Sequence, residues 1–411
     1  MNFLVLVIIS LLLSFSNADR VVITDLLHLP PSVIQSLSKV EPLSFHQLTT
    51  YSFFTRVHSN TTLYSILTIP SSSDFSKLAI YLPGGPGISL FTALFEEIGP
   101  FMFSNDLIII NNNSLATEIP VLFIDQPYST GLSESLVVNK SLEFSSKMIG
   151  ELVNQIFKVF PQFQKSKLIL GGSSFGLKFC LNFYYYNPEF DVMGFFSGNP
   201  IISCKHQNTF QNFLSNFGLL TKSDADFYTE SSKILDKYLE NNDYKSAGSL
   251  FLNMATYVSK NSVKISEHHI GKSKYSFENF KIMDTVNSML DSLHASGSSL
   301  QSIINSKVRS LFAPDTCHDV SNLIDYYLSR DKVFLIYSGE FDLVCNSLGL
   351  INWITSLNRD FELVNHFDGE ELISTAHKSK LMDFVVIKGA GHFAGKDQPR
   401  ELKRVFFNRF K

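Results

Sequence analysis

The stretch Lys167–Phe179, KLILGGSSFGLKF, decides how the chain is read. A short apolar run of strand character meets a pair of glycines, two adjacent serines and a third glycine, and then a helical pattern begins. A strand-to-helix turn that presents a nucleophile crowds the residues two before and two after it, so both must be very small. Centred on Ser173, those flanks are Gly171 and Phe175; centred on Ser174, they are Gly172 and Gly176. A phenylalanine does not fit the crowded position. Ser174 is therefore the candidate nucleophile.

Glycine–serine turns are also common structural features, so the reading needs partners elsewhere. A serine nucleophile on such a turn requires an acid and then a histidine later in the chain. His392 stands in KGAGHFAGKDQP, after an apolar run and on a glycine-rich loop. Asp342 stands in LIYSGEFDLVCN, after another such run. Asp342 would hold the imidazole in the required tautomer, and His392 would take the Ser174 proton. Acyl transfer also needs donors for the oxyanion. YLPGGPGIS (81–89) supplies an early glycine loop, and the assigned donors are the N–H groups of Gly85 and Phe175. The same loop lacks the Gly-Lys-Ser/Thr sequel of a phosphate-binding loop.

The runs KLAIYL (77–82), VLFID (121–125), KLIL (167–170), VMGFFSG (192–198), VFLIYSG (333–339) and FVVIKGAG (384–391) are brief, apolar on both faces and closed by turn residues. Buried parallel strands read this way. Helical patterns fall between them, over about 143–160 and from the serine pair to Asn187-Pro188. The expected class is α/β, a doubly wound, mostly parallel sheet. From Cys204 to Asp315 the period becomes 3.6, with Ile234, Leu235, Tyr238 and Leu239 expected on one helical face. The expected organisation is a signal peptide (1–18), a core in two parts (19–203 and 316–411) and a helical lid insertion (204–315).

The chain has 411 residues, 45% of them hydrophobic, and a formal net charge of −4, with no basic run. A nucleic-acid groove therefore has no electrostatic support. The apolar opening MNFLVLVIISLLLSFSNA reads as a secretory signal with a small-x-small cleavage site, leaving no membrane-embedded segment after cleavage. Sequons at Asn60, Asn112 and Asn139 agree with that route. The cysteines Cys180, Cys204, Cys317 and Cys345 show no metal-ligand spacing, so no metal and no cofactor is expected. Cys204 and Cys317 flank the insertion, where a bond between them would staple its base. His268-His269 reads as a solvated loop.

With these motifs in place the sequence resembles the serine carboxypeptidases, an α/β-hydrolase family, and most closely their vitellogenic carboxypeptidase-like branch. GGPG with LFEEIGPF, VLFIDQPYSTGLS, GGSSFGLKF, LIYSGEFDLVCN and IKGAGHFAGKDQP fall in the family's order from about 43 to 410. The resemblance implies a secreted or lysosomal enzyme that removes a C-terminal residue from peptides or proteins at acidic pH. It implies the triad Ser174, Asp342 and His392, with Gly84, Pro83, Glu97, Ser173 and Tyr128 against the substrate. A homodimer is the expected assembly if the chain self-associates.

Two departures bear on substrate recognition. The family carries a glutamate before the nucleophile, where this chain has Ser173, and an amide residue before GGPG, where it has Pro83. Both positions, with the glutamate matching Glu97, hold the substrate's terminal carboxylate in the family. Two carboxyls sharing a proton can donate to a carboxylate only at low pH; Pro83 offers neither an amide side chain nor an N–H. Ser173, Lys178 or a lid residue are the candidate replacements. An acyltransferase or esterase on the same machinery also fits a lost clamp. A non-catalytic binding protein fits less well, since the catalytic motifs are complete.

Overall fold

The computed structural model describes residues 20–136, 141–275 and 279–411; the signal segment 1–18 and Asn139 lie outside them. The strands are β1 (Leu48–His58), β2 (Thr61–Pro70), β3 (Lys77–Tyr81), β4 (Phe101–Ser104), β5 (Leu107–Ile110), β6 (Val121–Ile124), β7 (Glu134–Ser135), β8 (Lys167–Gly171), β9 (Val192–Gly198), β10 (Val333–Gly339), β11 (Glu362–Asp368), β12 (Glu371–Lys378) and β13 (Met382–Ile387). The main sheet runs β1-β2-β6-β3-β8-β9-β10-β13-β12-β11, with β7 added to β2. Its middle, β6-β3-β8-β9-β10-β13, is parallel throughout. Those are the six apolar runs read as strands, although β13 begins at Met382 and ends before the glycine loop. Antiparallel hairpins β1-β2 and β11-β12 close the two edges.

Alternation along each parallel strand loads both faces of the sheet. Leu78, Ile80, Leu168 and Leu170 face one apolar layer, which includes the helices Leu142–Val159 and Gly176–Tyr186. Ala79, Tyr81 and Ile169 face the other, which includes the C-terminal helix Pro399–Arg409. Helices on both faces are what strands buried on both sides require. Helix Leu142–Val159 begins where the Ser141 hydroxyl accepts from the Phe144 N–H and stops just before Pro161, which cannot continue it.

Between β9 and β10 the described residues form helices and no strand. Those from Phe210 to Val258 share a third apolar cluster around Phe210, Tyr228, Leu235, Phe251 and Met254, which also takes in Leu343 and Cys345 from the loop after β10, whereas Ile282, Val286 and Leu293 join the second layer of the sheet and Val308 and Phe312 the first. Leu235 is fully buried, but Ile234 is 43% exposed, so it does not join the face expected of it. The helix turns 100° per residue, which carries the side chain beside a central core residue out towards solvent.

Cys204 and Cys317 form a disulfide across a separation of 113 residues, tying the two ends of this helical region together. Cys180 and Cys345 are free and buried. Closing a loop of that size stabilises a fold by on the order of 4–5 kcal/mol in the chain-entropy picture. Replacing both cysteines by serine is expected to lower the thermal midpoint under non-reducing conditions by several degrees. An unchanged midpoint in calorimetry would contradict that role.

Candidate active site

The turn that carries Ser174, the candidate nucleophile, is built by close backbone contact. β8 ends at Gly171, the helix begins at Gly176, and Ser174 between them has φ +54°. A Cβ on Gly172 would lie 2.3 Å from the Leu82 carbonyl oxygen, and one on Gly176 would lie 2.3 Å from the same atom. Any side chain at either position drives that carbonyl away. A non-glycine residue in the left-handed region costs on the order of 1–3 kcal/mol. Two bonds hold Ser174 there: its N–H donates to Gly198 at 2.8 Å, and its carbonyl accepts from Ile201 at 3.2 Å.

The acid and the histidine follow β10 and β13. Asp342 is fully buried, and its carboxylate accepts from the N–H groups of Val344 (2.9 Å) and Cys345 (3.2 Å). Its Oδ2 lies 2.9 Å from Nδ1 of His392. An acceptor there fixes the proton on Nδ1 and leaves Nε2 as the free base. Burial alone would lower the His392 pKa, but Asp342, by charge and hydrogen bond, outweighs it and raises the pKa above the ordinary value. The Ser174 hydroxyl neighbours the Cys345 thiol, which burial pushes far up and keeps protonated. Donor atoms of Asp342, Cys345 and His392 come within 4.8 Å of one another. The acid–histidine hydrogen bond accounts for that convergence, because it occupies the Asp342 oxygen facing the ring.

Residues without a sequence signal hold the histidine loop. The Asn199 side chain donates to the His392 carbonyl at 2.6 Å and accepts from the Gly339 N–H at 2.9 Å, joining the ends of β9, β10 and β13. His268 and His269 are not the solvated loop expected of them. His269 is 4% exposed, and the His268 ring centroid lies 5.3 Å from that of His392. The His268 carbonyl accepts from the His392 N–H at 2.7 Å. Burial, and then the charge of His392, lower the His268 pKa to about 4.

On the substrate side, Gly84 abuts the Ser173 carbonyl, where a Cβ would come within 2.3 Å. Gly85 has φ +109°. The N–H groups of Gly85 and Phe175 donate to no acceptor among the described residues. Asp125 steadies this loop by accepting from Ser89 Oγ (2.9 Å), Leu90 N (2.6 Å) and Leu132 N (2.8 Å). Burial pushes the Asp125 carboxyl up to about 7. The Pro83 carbonyl accepts from the Gln126 side-chain amide at 3.0 Å. Tyr128 is buried, its ring edge-on to Phe144.

Glu97 Oε2 accepts from Ser173 Oγ at 2.9 Å and from the Tyr81 hydroxyl, while Oε1 is buried with no partner among the described residues. Burial raises the Glu97 pKa; the Tyr81 and Ser173 bonds and the charge of His392 pull it part of the way back. Lys178 turns away from the site, donating to the His318 carbonyl, with Asp319 and Asp315 nearby. It is therefore not the replacement clamp it was a candidate for. A cavity of about 1060 Å³ between the β11-β12 hairpin and the C-terminal helix contains none of these groups.

The family model for serine carboxypeptidases matches residues 38–411. The rice protein Serine carboxypeptidase 3 is 24% identical, over 80% of this chain and 73% of its own length. Vitellogenic carboxypeptidase of Aedes aegypti is 23% identical, over 85% of this chain and 81% of its own. The mouse Lysosomal protective protein is 24% identical, over 80% and 83% respectively. Among solved structures, Kex1(Δ)p, a prohormone-processing carboxypeptidase from Saccharomyces cerevisiae, superposes with a TM-score of 0.78 at 19% identity, covering 91% of this chain and 96% of that one. At that identity the superposition establishes the α/β-hydrolase fold.

The His392–Asp342 geometry has a signed pH consequence. A base must be neutral to accept a proton, and Asp342 raises the His392 pKa. The acid limb of kcat/KM is therefore expected above the ordinary histidine value, at higher pH than the acidic activity the family resemblance implies. Asp342→Asn should move that limb to lower pH and cut kcat by about 10⁴-fold. A pH–rate profile whose limb stays in place in the variant would contradict the assignment.

Proposed function

The chain belongs to the serine carboxypeptidase family, and on that premise we propose that Ser174, His392 and Asp342 hydrolyse the C-terminal bond of peptides through an acyl-enzyme. The observation that carries the assignment is Nδ1 of His392 at 2.9 Å from Asp342, both buried. Nε2 takes the Ser174 proton as Oγ attacks the scissile carbonyl. The oxyanion is received by the free N–H groups of Gly85 and Phe175. The imidazolium, steadied by Asp342, then protonates the departing amine, and a water molecule repeats the sequence to release the acid.

Recognition of the terminal carboxylate rests on something other than paired carboxyls. Ser173 donates to Glu97 where the family pattern has a second acid, so no shared proton is available. We read 204–315 as a lid, since its segment 267–270 bonds to the loop of the catalytic acid: Leu343 N donates to Glu267 O and Ile270 N to Phe341 O. A secretory route to a lysosome-like compartment or the cell exterior is supported by the apolar opening and the disulfide. Exposed sequons at Asn60 and Asn112 agree. No helix among the described residues is long and apolar enough to cross a membrane.

Restoring the missing acid tests this reading. Ser173→Glu places a second carboxyl beside Glu97, so the variant should gain preference for free-acid over amidated peptides at acidic pH. It should lose that preference as the pH rises and the shared proton leaves. The wild type is expected to discriminate with a shallower pH dependence. Release of the last residue from matched peptides measures both; a wild-type profile as steep as that of the variant would contradict the proposal.

A further inference from the structure

Gly391, directly before His392, is wedged from two sides. A Cβ on it would lie 2.3 Å from the His268 carbonyl oxygen, and a Cβ on Gly339 would lie 2.0 Å from the Gly391 carbonyl oxygen. The Gly391 N–H donates to Asp397 Oδ2 at 2.8 Å. Asp397 ends the short helix Ala394–Asp397 that follows His392, so this bond closes the histidine loop on itself. The same carboxylate is held from the helical region. The Tyr275 hydroxyl donates to Oδ2 at 2.7 Å, and Lys272 Nζ donates to Oδ1 at 3.0 Å. The Asp397 side chain is only 6% exposed, so these donors take the place of water around it. The Tyr275 ring stacks on Phe393 with centroids 6.1 Å apart, and Phe393 meets the His392 ring edge-on at 5.0 Å.

The main chain at His392 is anchored by Asn199 on its carbonyl, by the His268 carbonyl on its N–H, and by Asp397 on the N–H one residue earlier. Asp397 supplies the charged anchor, and a bond to an ionised acceptor is roughly twice as strong as a neutral one. Because Oδ2 takes both the Gly391 N–H and the Tyr275 hydroxyl, one atom sets the place of the histidine backbone and of the segment that ends at Tyr275. We propose that Asp397 is a positioning residue for His392, and that Tyr275 acts through it to tie the aim of the imidazole to the docking of the helical region. The inference rests on the reading of His392 as the base. Nε2 must reach the Ser174 proton at hydrogen-bond range, and a misplacement of about 1 Å can cost on the order of 10²-fold in rate. Asp397 works through Gly391 and not on the reacting atoms.

Two readouts on the full chain separate positioning from mere stability. Hydrolysis of benzyloxycarbonyl-Phe-Leu gives kcat per active site, with sites counted by fluorophosphonate labelling; proton NMR follows the low-field Nδ1–H of His392. Asp397→Ala should lower kcat per labelled site by about 10- to 100-fold with KM within about three-fold, and should shift or broaden the Nδ1–H resonance. Asp397→Asn keeps an acceptor for the Gly391 N–H and should recover most of kcat. Tyr275→Phe keeps the stacked ring and loses only the hydroxyl, so it should lower kcat by about 3- to 10-fold, and it carries the test if Asp397→Ala does not fold. If the folded variants match the wild type in kcat per labelled site and in the resonance, whatever their thermal midpoints, the proposal is overturned. A wild type that hydrolyses no peptide, with a resonance that still moves in Asp397→Ala, would instead overturn the catalytic reading and leave the placement of the imidazole by Asp397 standing.

Discussion

The Leu82 carbonyl is the point on which the site depends. It lies where a side chain on either Gly172 or Gly176 would be, so the end of β3 and the nucleophile turn occupy one another's space. The contact places the loop that follows Leu82 against the serine turn, bringing Gly84 onto the Ser173 carbonyl. The proposed oxyanion donors and the proposed nucleophile are thus located by one steric constraint on the backbone. Nothing in it depends on a flexible side chain, which is what a preorganised site requires.

The electrostatic half of the site is assembled differently. Acid and histidine come from adjacent parallel strands, but their loops are held by a segment of the helical region. His268 accepts from His392 N, Glu267 from Leu343 N, and Phe341 from Ile270 N. Catalytic core and helical region are coupled through main-chain bonds rather than side-chain contacts alone. The buried charges then divide by partner. Asp342 is paired and lifts the imidazole, whereas Glu97 has no cation in contact among the described residues and is pushed towards its neutral form.

Much of this was legible in the sequence because its causes are local. The small flanks of Ser174 follow from sterics within five residues, and the six parallel strands are apolar on both faces, whatever their neighbours. The edge strands lack that mark: β1 and β2 carry threonines and serines through an antiparallel pairing, and β11 is largely exposed. His268, Asn199 and Asp125 had no readable signal, since each acts at least in part through groups more than 30 residues away that only the topology brings near. The departure at Ser173 could be read from motif position, but its consequence, a hydroxyl bonded to Glu97, needed the three-dimensional neighbour.

The central claim is that Ser174, and not the serine beside it, is the nucleophile. Reaction with a fluorophosphonate followed by peptide mapping tests it most directly. The account predicts one covalent adduct, on Ser174, that is absent in Ser174→Ala and persists in Ser173→Ala. An adduct on Ser173, or none at any pH, would contradict it.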